Sequence, residues 1–198
     1  DKEISNDEEV RYWNKLADLL TPVSKYYCSE MCNRIAYDAL QIHGGSGFTE
    51  DYDIARIYRD ARIITIYDGT TQIQVMAAIG GVVSGMSATG NFRKYLTNEL
   101  AKFPASSRIQ NLFTTLEEAV NTYKEIKATD VRDSFSIELV EVATRVLAGI
   151  HLEKTAHSLD GDAKLYRLKH AEEYNVDSFA ISLGNISRMK DFVVVEKL

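Results

Sequence analysis

The sequence predicts an all-α protein, an antiparallel helical bundle followed by a second subdomain of long helices. Three observations predict it. Only two prolines, Pro22 and Pro104, occur in 198 residues. Apolar residues recur with a 3.6-residue period nearly throughout. Where that period breaks, the chain reads HGGSG, YDGT, SATGN or LDGD, stretches rich in turn-forming residues.

A first helix is expected to start near Ser5 or Asn6 as N-cap, with Asp7, Glu8 and Glu9 near its positive end. Thr21-Pro22 then reads as a cap followed by proline at the first position of a new helix. That helix runs through KYYCSEMCNRIAYDALQI, with Tyr27, Met31, Ile35, Leu40 and Ile42 on a broad buried stripe. It stops at HGGSG, where a glycine supplies a left-handed cap. After the loop FTEDYD comes a brief helix, IARIYRDARI, carrying Arg56, Arg59, Asp60 and Arg62, which read as structural ion-pair residues. Thr70 caps the next helix, TQIQVMAAIGGVVSGM, which is weakened at Gly80-Gly81. The turn SATGN follows, then a helix from about Asn91 to Phe103.

Around Pro104 the character changes. Ile109, Leu112, Phe113, Leu116, Ala119, Val120, Tyr123 and Ile126 fall on one amphipathic face. Asp130 reads as the cap of a helix running to the turn LDGD. Asp162 opens a last helix that reaches about Met189, before a β-branched end, FVVVEKL. The subdomain boundary is expected between Gly90 and Pro104, giving units 1–95 and 96–198.

The length allows one full core or two small ones sharing an interface. A net charge of −6 argues against nucleic-acid and anionic-membrane surfaces, which require basic patches. No apolar run reaches transmembrane length, and DKEISNDEEV is unlike a leader peptide. Cys28 and Cys32 permit no disulfide framework and read as reduced, partly buried side chains, consistent with a cytoplasmic location. His151, His157 and His170 lack metal-ligand spacing as a set, and no metal site is expected.

Chemistry collects in residues 41–74. Gly44, Gly45 and Gly47 leave backbone N–H groups uncovered, which suits close approach of a phosphate or a ring, though a helix cap would use the same glycines. IYDGT places Asp68 beside Gly69, immediately ahead of a helix N-terminus whose N–H groups can meet an anion or a carbonyl oxygen. Asp-Gly is also a common surface turn.

The stretch QIHGGSGFTEDYDIARIYRDARIITIYDGTTQIQ resembles the signature segment of the acyl-CoA dehydrogenase family. In that family a Gln-x-x-Gly-Gly turn, an acidic-aromatic loop, an Arg-Asp-x-Arg helix and Ile-Tyr-Glu-Gly-Thr-x-x-Ile-Gln follow in this order. Residues from about 8 to 90 resemble most of the family's C-terminal bundle. The remainder resembles the extra helical domain of its long members.

The resemblance implies FAD-dependent α,β-dehydrogenation of an acyl-CoA thioester to a 2-enoyl-CoA. It implies Asp68 as the base that removes the α-proton, its backbone N–H binding the thioester oxygen, and Gly69 against the substrate. It implies FAD contacts by Thr70, Thr71 and Gln72. Gln41, Ile42, His43, Gly44 and Gly45 would reach the FAD of a neighbouring subunit, so a homodimer or higher homo-oligomer is expected, with electron-transfer flavoprotein as electron acceptor. Three departures stand out. Asp68 replaces the usual Glu and is shorter by about 1.5 Å. Gly80 stands where many members carry a basic residue. The chain begins inside the bundle, so by itself it is expected to be inactive. An acyl-CoA oxidase of the same family and a non-catalytic helical oligomerisation or interaction module are the alternative readings.

Overall fold

The computed structural model describes residues 7–195, and every regular element among them is an α-helix. The helices are α1 (Asp7–Gly47), α2 (Ile54–Ile63), α3 (Thr71–Gly85), α4 (Asn91–Leu100), α5 (Ser107–Glu125), α6 (Thr129–Ser134), α7 (Ser136–His157) and α8 (Gly161–Val195). The predicted cap at Ser5 or Asn6 and the last three residues of FVVVEKL lie outside the described residues.

α7 is the hub. Leu139, Val140, Val142, Ala143, Val146 and Ile150 are all buried, so the helix is apolar on several sides. It packs against α3, α4, α5 and α8, and more lightly against α1 and α6. α1 lies along α2 and α3. One cluster of buried side chains runs from Leu16 and Val23 on α1, through Val82, Leu96, Leu116 and Val146, to Met189 on α8. Burying each such aliphatic side chain stabilises the fold by about 1.5–3 kcal/mol before conformational entropy is set against it.

The cap predicted at Thr70 holds: its hydroxyl accepts from the Ile73 N–H at 3.5 Å. Ser106, where no cap was expected, opens α5 in the same way by accepting from Ile109 at 3.2 Å. Elsewhere the structure corrects the predicted boundaries. Pro22 begins no new helix: α1 runs straight through it. Leu16, Leu19, Val23 and Tyr26 bury one face across the proline, and that packing outweighs the roughly 3 kcal/mol that an interior proline costs. Asp130 lies in the first turn of the short α6 instead of capping α7, and α8 continues past Met189 to Val195. The stripe assigned to α1 is narrower than its apolar residues suggest, since Ile35 and Ile42 are 67 % and 84 % exposed. Cys28 and Cys32 are exposed too, on the outer face of the same helix.

At the α1–α4–α7 seam the histidine His151 meets the Tyr95 hydroxyl at 3.1 Å through Nε2. Nearby, the buried Glu99 accepts from Lys102 and, at 2.5 Å, from Lys154. Burial alone would raise the Glu99 carboxyl, but the two lysines outweigh it and hold it below its usual value. Burial lowers the His151 imidazole; the Glu99 charge opposes this, while Lys154 and Lys102 reinforce it. Below the ordinary value of 6.5 the unfolded chain therefore binds the His151 proton more readily than the folded one. The stability His151 contributes is complete above that value and is lost as pH falls towards the depressed folded value. The midpoint of thermal unfolding should drop more between pH 7 and pH 5 in the parent chain than in His151→Gln. Parallel curves would mean that His151 takes no part.

Candidate functional site

The α2–α3 junction, residues 64–70, is held by polar side chains from α1. The Lys25 ammonium donates to the Ile64 carbonyl and stands 5.1 Å from the centre of the Tyr67 ring. Asn33 Nδ2 donates to the Ala61 carbonyl at 2.8 Å, and to Ser29 O on its own helix at the same distance. Thr71 Oγ1 donates to the Glu30 carboxylate. The loop is closed from within by Thr71 N–H to Thr65 O at 3.3 Å, and by Ile66 and Tyr67 N–H to Ile63 O. Thr65 is buried, and its hydroxyl donates to Arg62 O while accepting from the Arg62 guanidinium.

Asp68 and Gly69 both have positive φ, 54° and 89°. Asp68 is the only non-glycine residue in that region among the described residues. Aspartate tolerates the left-handed conformation better than most residues, and Gly69 accommodates it without strain. The Asp68 carbonyl accepts from Gln74 Nε2 at 2.8 Å, while its side chain is exposed. A β-carbon on Gly69 would stand 2.7 Å from that same Gln74 nitrogen. The hydrogen bonds that close the turn leave the N–H groups of Asp68 and Gly69 without an acceptor among the described residues. Ile63, Ile66, Tyr67, Ile73 and Met76 around them are each about half exposed. Behind the turn is a shallow cleft of 280 Å³, lined by Glu30, Asn33, Arg62, Thr70 and Gln72 among others.

The predicted site residues fall into two groups that the fold keeps apart. Asp68, Gly69, Thr70 and Gln72 stand at the α3 N-terminus. Thr71 sits behind them, 8 % exposed and turned towards α1. Gln41, Ile42, His43, Gly44 and Gly45 are at the other end of α1, all exposed. Gln41 is eleven residues beyond Glu30, about 16 Å along the helix axis. There the helical geometry breaks at Gly44, with φ 61° and ψ −151°. This corrects the predicted left-handed cap, because that ψ lies in an extended region open essentially to glycine alone. His43 Nδ1 pairs with Ala39 O at 2.9 Å, and its ring meets Tyr52 edge-on. Arg56 pairs with Asp53 at 3.0 Å, whereas Arg59 and Asp60 form no ion pair among the described residues.

Sequence reasoning missed Lys25, Glu30 and Asn33. Their signal was a run of polar residues on the side of α1 that also buries Tyr26 and Ser29. Gly80, at the position expected to be basic, lies beside Tyr123, Lys124 and Arg132 in a shallow cleft of 390 Å³ against the second half of the chain.

Residues 11–81 match the family model for the C-terminal domain of acyl-CoA dehydrogenase. Caffeyl-CoA reductase-Etf complex subunit CarC of Acetobacterium woodii is 50 % identical over 64 residues, covering 32 % of this chain and 16 % of that protein. 3-(Aryl)acrylate reductase of Clostridium sporogenes is 50 % identical over 60 residues, 30 % of this chain and 16 % of that protein. Butyryl-CoA dehydrogenase of Syntrophomonas wolfei is 28 % identical over 160 residues, 75 % of this chain and 26 % of that protein. The chain thus spans between 16 % and 26 % of the length of these three relatives. An acyl-CoA dehydrogenase from Bacillus anthracis, solved with FAD, shares the fold with a TM-score of 0.67 and 18 % identity, over 85 % of this chain and 32 % of that one.

Proposed function

Residues 11–81 belong to the acyl-CoA dehydrogenase C-terminal domain family, and from that premise we propose that the chain supplies one wall of an FAD-dependent acyl-CoA oxidoreductase, with Asp68 as its acid–base residue. The observation that carries this reading is the Asp68-Gly69 turn. It holds a carboxylate and two unpaired N–H groups together at the N-terminus of α3.

In the dehydrogenating direction the Asp68 carboxylate takes the α-proton of the acyl thioester. The N–H groups at the turn donate to the thioester oxygen as enolate character develops, which is where preorganised donors lower a barrier most. When bound, FAD would supply acceptance of the β-hydrogen as hydride. The residues present fit such a cofactor at an edge. A β-carbon on Gly44 or Gly45 would meet nothing within 4 Å, so flat groups can lie against that backbone, while Thr70 and Gln72 flank the open turn. Gln41–Gly45 at the end of α1 stand about 16 Å along the helix axis from the level of Glu30, behind the turn that carries Thr70 and Gln72, and the two groups are proposed to serve two cofactors. That separation supports a site shared between copies, in a homodimer or larger homo-oligomer.

Two relatives of 50 % identity are named as reductases. The same carboxylate, once protonated, would deliver the proton to the α-carbon in that direction. The relative named as part of an Etf complex supports electron-transfer flavoprotein as the redox partner. The oxidase reading has no observation of its own in its favour. The non-catalytic reading has one, because a left-handed turn calls for Asp-Gly whether or not chemistry follows.

The test uses the whole flavoprotein. A panel of acyl-CoA thioesters added anaerobically should bleach the flavin for one acyl class, and light scattering of the same preparation should give the mass of a dimer or higher. Bound flavin that no acyl-CoA bleaches and no enoyl-CoA reoxidises, on a monomer, would remove the proposal.

A further inference from the structure

We infer that Glu30 is a positioning residue: from α1 it holds Thr71, and so fixes where the α3 N-terminus and the Asp68-Gly69 turn stand. The inference rests on the reading that Asp68 transfers the proton. Among the described residues three side-chain hydrogen bonds join α1 to α2 and the α2–α3 junction, and they are not equivalent. Asn33 reaches Ala61 and Lys25 reaches Ile64, both on the α2 side of the turn. Glu30 alone reaches the α3 side, through the Thr71 hydroxyl. Between these anchors Ile66, Tyr67 and Asp68 are exposed, and Asp68 itself is held only through its carbonyl by Gln74.

The chemistry of the pair suits the task. Thr71 is the first residue of α3 and is buried, so its hydroxyl has one inward direction open to it, and its β-branch restricts the rotamers it can take. The acceptor is a carboxylate, which makes a charge-assisted bond stronger than a neutral one. A negative charge beside a helix N-terminus also interacts favourably with the helix dipole. Nothing in this pair touches the reacting atoms. Its effect is on the position of Asp68, and a displacement of about 1 Å at a reacting group can lower a rate about a hundredfold.

The experiment compares Glu30→Ala, Glu30→Gln, Thr71→Val and Asp68→Asn in the whole flavoprotein. Two readouts are taken: anaerobic flavin bleaching, and amide hydrogen exchange in the first turn of α3. Glu30→Ala should lower kcat by about ten- to a hundredfold with KM and flavin content within about twofold of the parent. Glu30→Gln, which keeps an oxygen for Thr71, should restore most of the rate. Thr71→Val should reproduce Glu30→Ala, and the double variant should be no slower than either. Exchange at residues 71–75 should quicken about tenfold in Glu30→Ala and not in Asp68→Asn. Parent-like kcat and exchange in Glu30→Ala, with Asp68→Asn inactive, would overturn the positioning role alone. Full rate in Asp68→Asn would remove the acid–base reading, and the Glu30 inference with it.

Discussion

Asp68→Asn in the whole flavoprotein should slow anaerobic bleaching by acyl-CoA about a hundred- to ten-thousandfold, the usual contribution of a positioned acid or base, while flavin stays bound. The substitution is unusually clean at this position. Asparagine shares aspartate's tolerance of the left-handed region, so φ 54° does not have to change. The carbonyl that accepts from Gln74 is backbone and is retained. What disappears is the charge and the ability to carry a proton. Asp68→Glu is the informative companion. It extends the carboxylate by about 1.5 Å but places a residue less suited to positive φ in the turn. A base retuned for a particular acyl group should then change its preference among thioesters, with a modest loss of stability. Rates untouched by Asp68→Asn, with flavin still bound, would leave the Asp-Gly pair explained by turn geometry alone.

Glu153→Ala should cost about 3 kcal/mol or more of unfolding free energy in urea titration. Glu153 is 3 % exposed on α7, and three donors converge on it. Ser106 N–H donates at 3.0 Å, Ser106 Oγ at 2.6 Å and Asn175 Nδ2 at 2.8 Å. The carboxylate therefore ties the first turn of α5 and the middle of α8 to α7. Truncation leaves the buried Asn175 amide and the half-buried Ser106 N–H without an acceptor, which is dearer than the loss of the bonds themselves. Glu153→Gln should cost about 1–2 kcal/mol, because one oxygen still accepts while the amide nitrogen faces a donor. Equal midpoints for Glu153→Ala and the parent would mean that water replaces the carboxylate at no loss.

Most of the fold was legible because helices announce themselves locally. The repeat that begins at Ile109 is a helix as far as Glu125, and Thr70, expected to cap α3, does so. Two of the failures share one cause, long-range packing. Pro22 reads as a helix start when only its neighbours are considered, yet the buried stripe on either side of it decides otherwise. Ile35 and Ile42 are apolar and exposed, so their exposure could not be read from residue type. At the candidate site the Asp68-Gly69 turn and the Thr70 cap were legible because turn chemistry and helix capping are written in adjacent residues, whereas the roles expected of Asp68, Gly69, Thr70 and Gln72 rest on the resemblance. Glu30 was not legible, because its partner is 41 positions away. Thr71 illustrates the limit well. Its neighbours Thr70 and Gln72 stand at the mouth of the turn, and only the packing of α3 on α1 turns the middle residue inward.

α8 carries one more consequence. Between Ala171 and Ser182 its buried face carries, beside Asn175, only the small Ala171, Ser178 and Ser182, and opposite Asn175 lies Gly149. Surfaces this smooth let two helices approach closely, but they offer little resistance to sliding by a turn, about 5.4 Å. Axial register must come from elsewhere. Two successive residues supply it in two directions: Tyr174, whose hydroxyl meets that of Tyr27 on α1 at 2.6 Å, and Asn175, which reaches Glu153 on α7. A turn of slippage would break both contacts together. Further along, Asn185 reaches Glu141 and Arg188 reaches Glu138, both at 3.0 Å on α7, so the long last helix is indexed against the same hub helix near its middle and again towards its C-terminus.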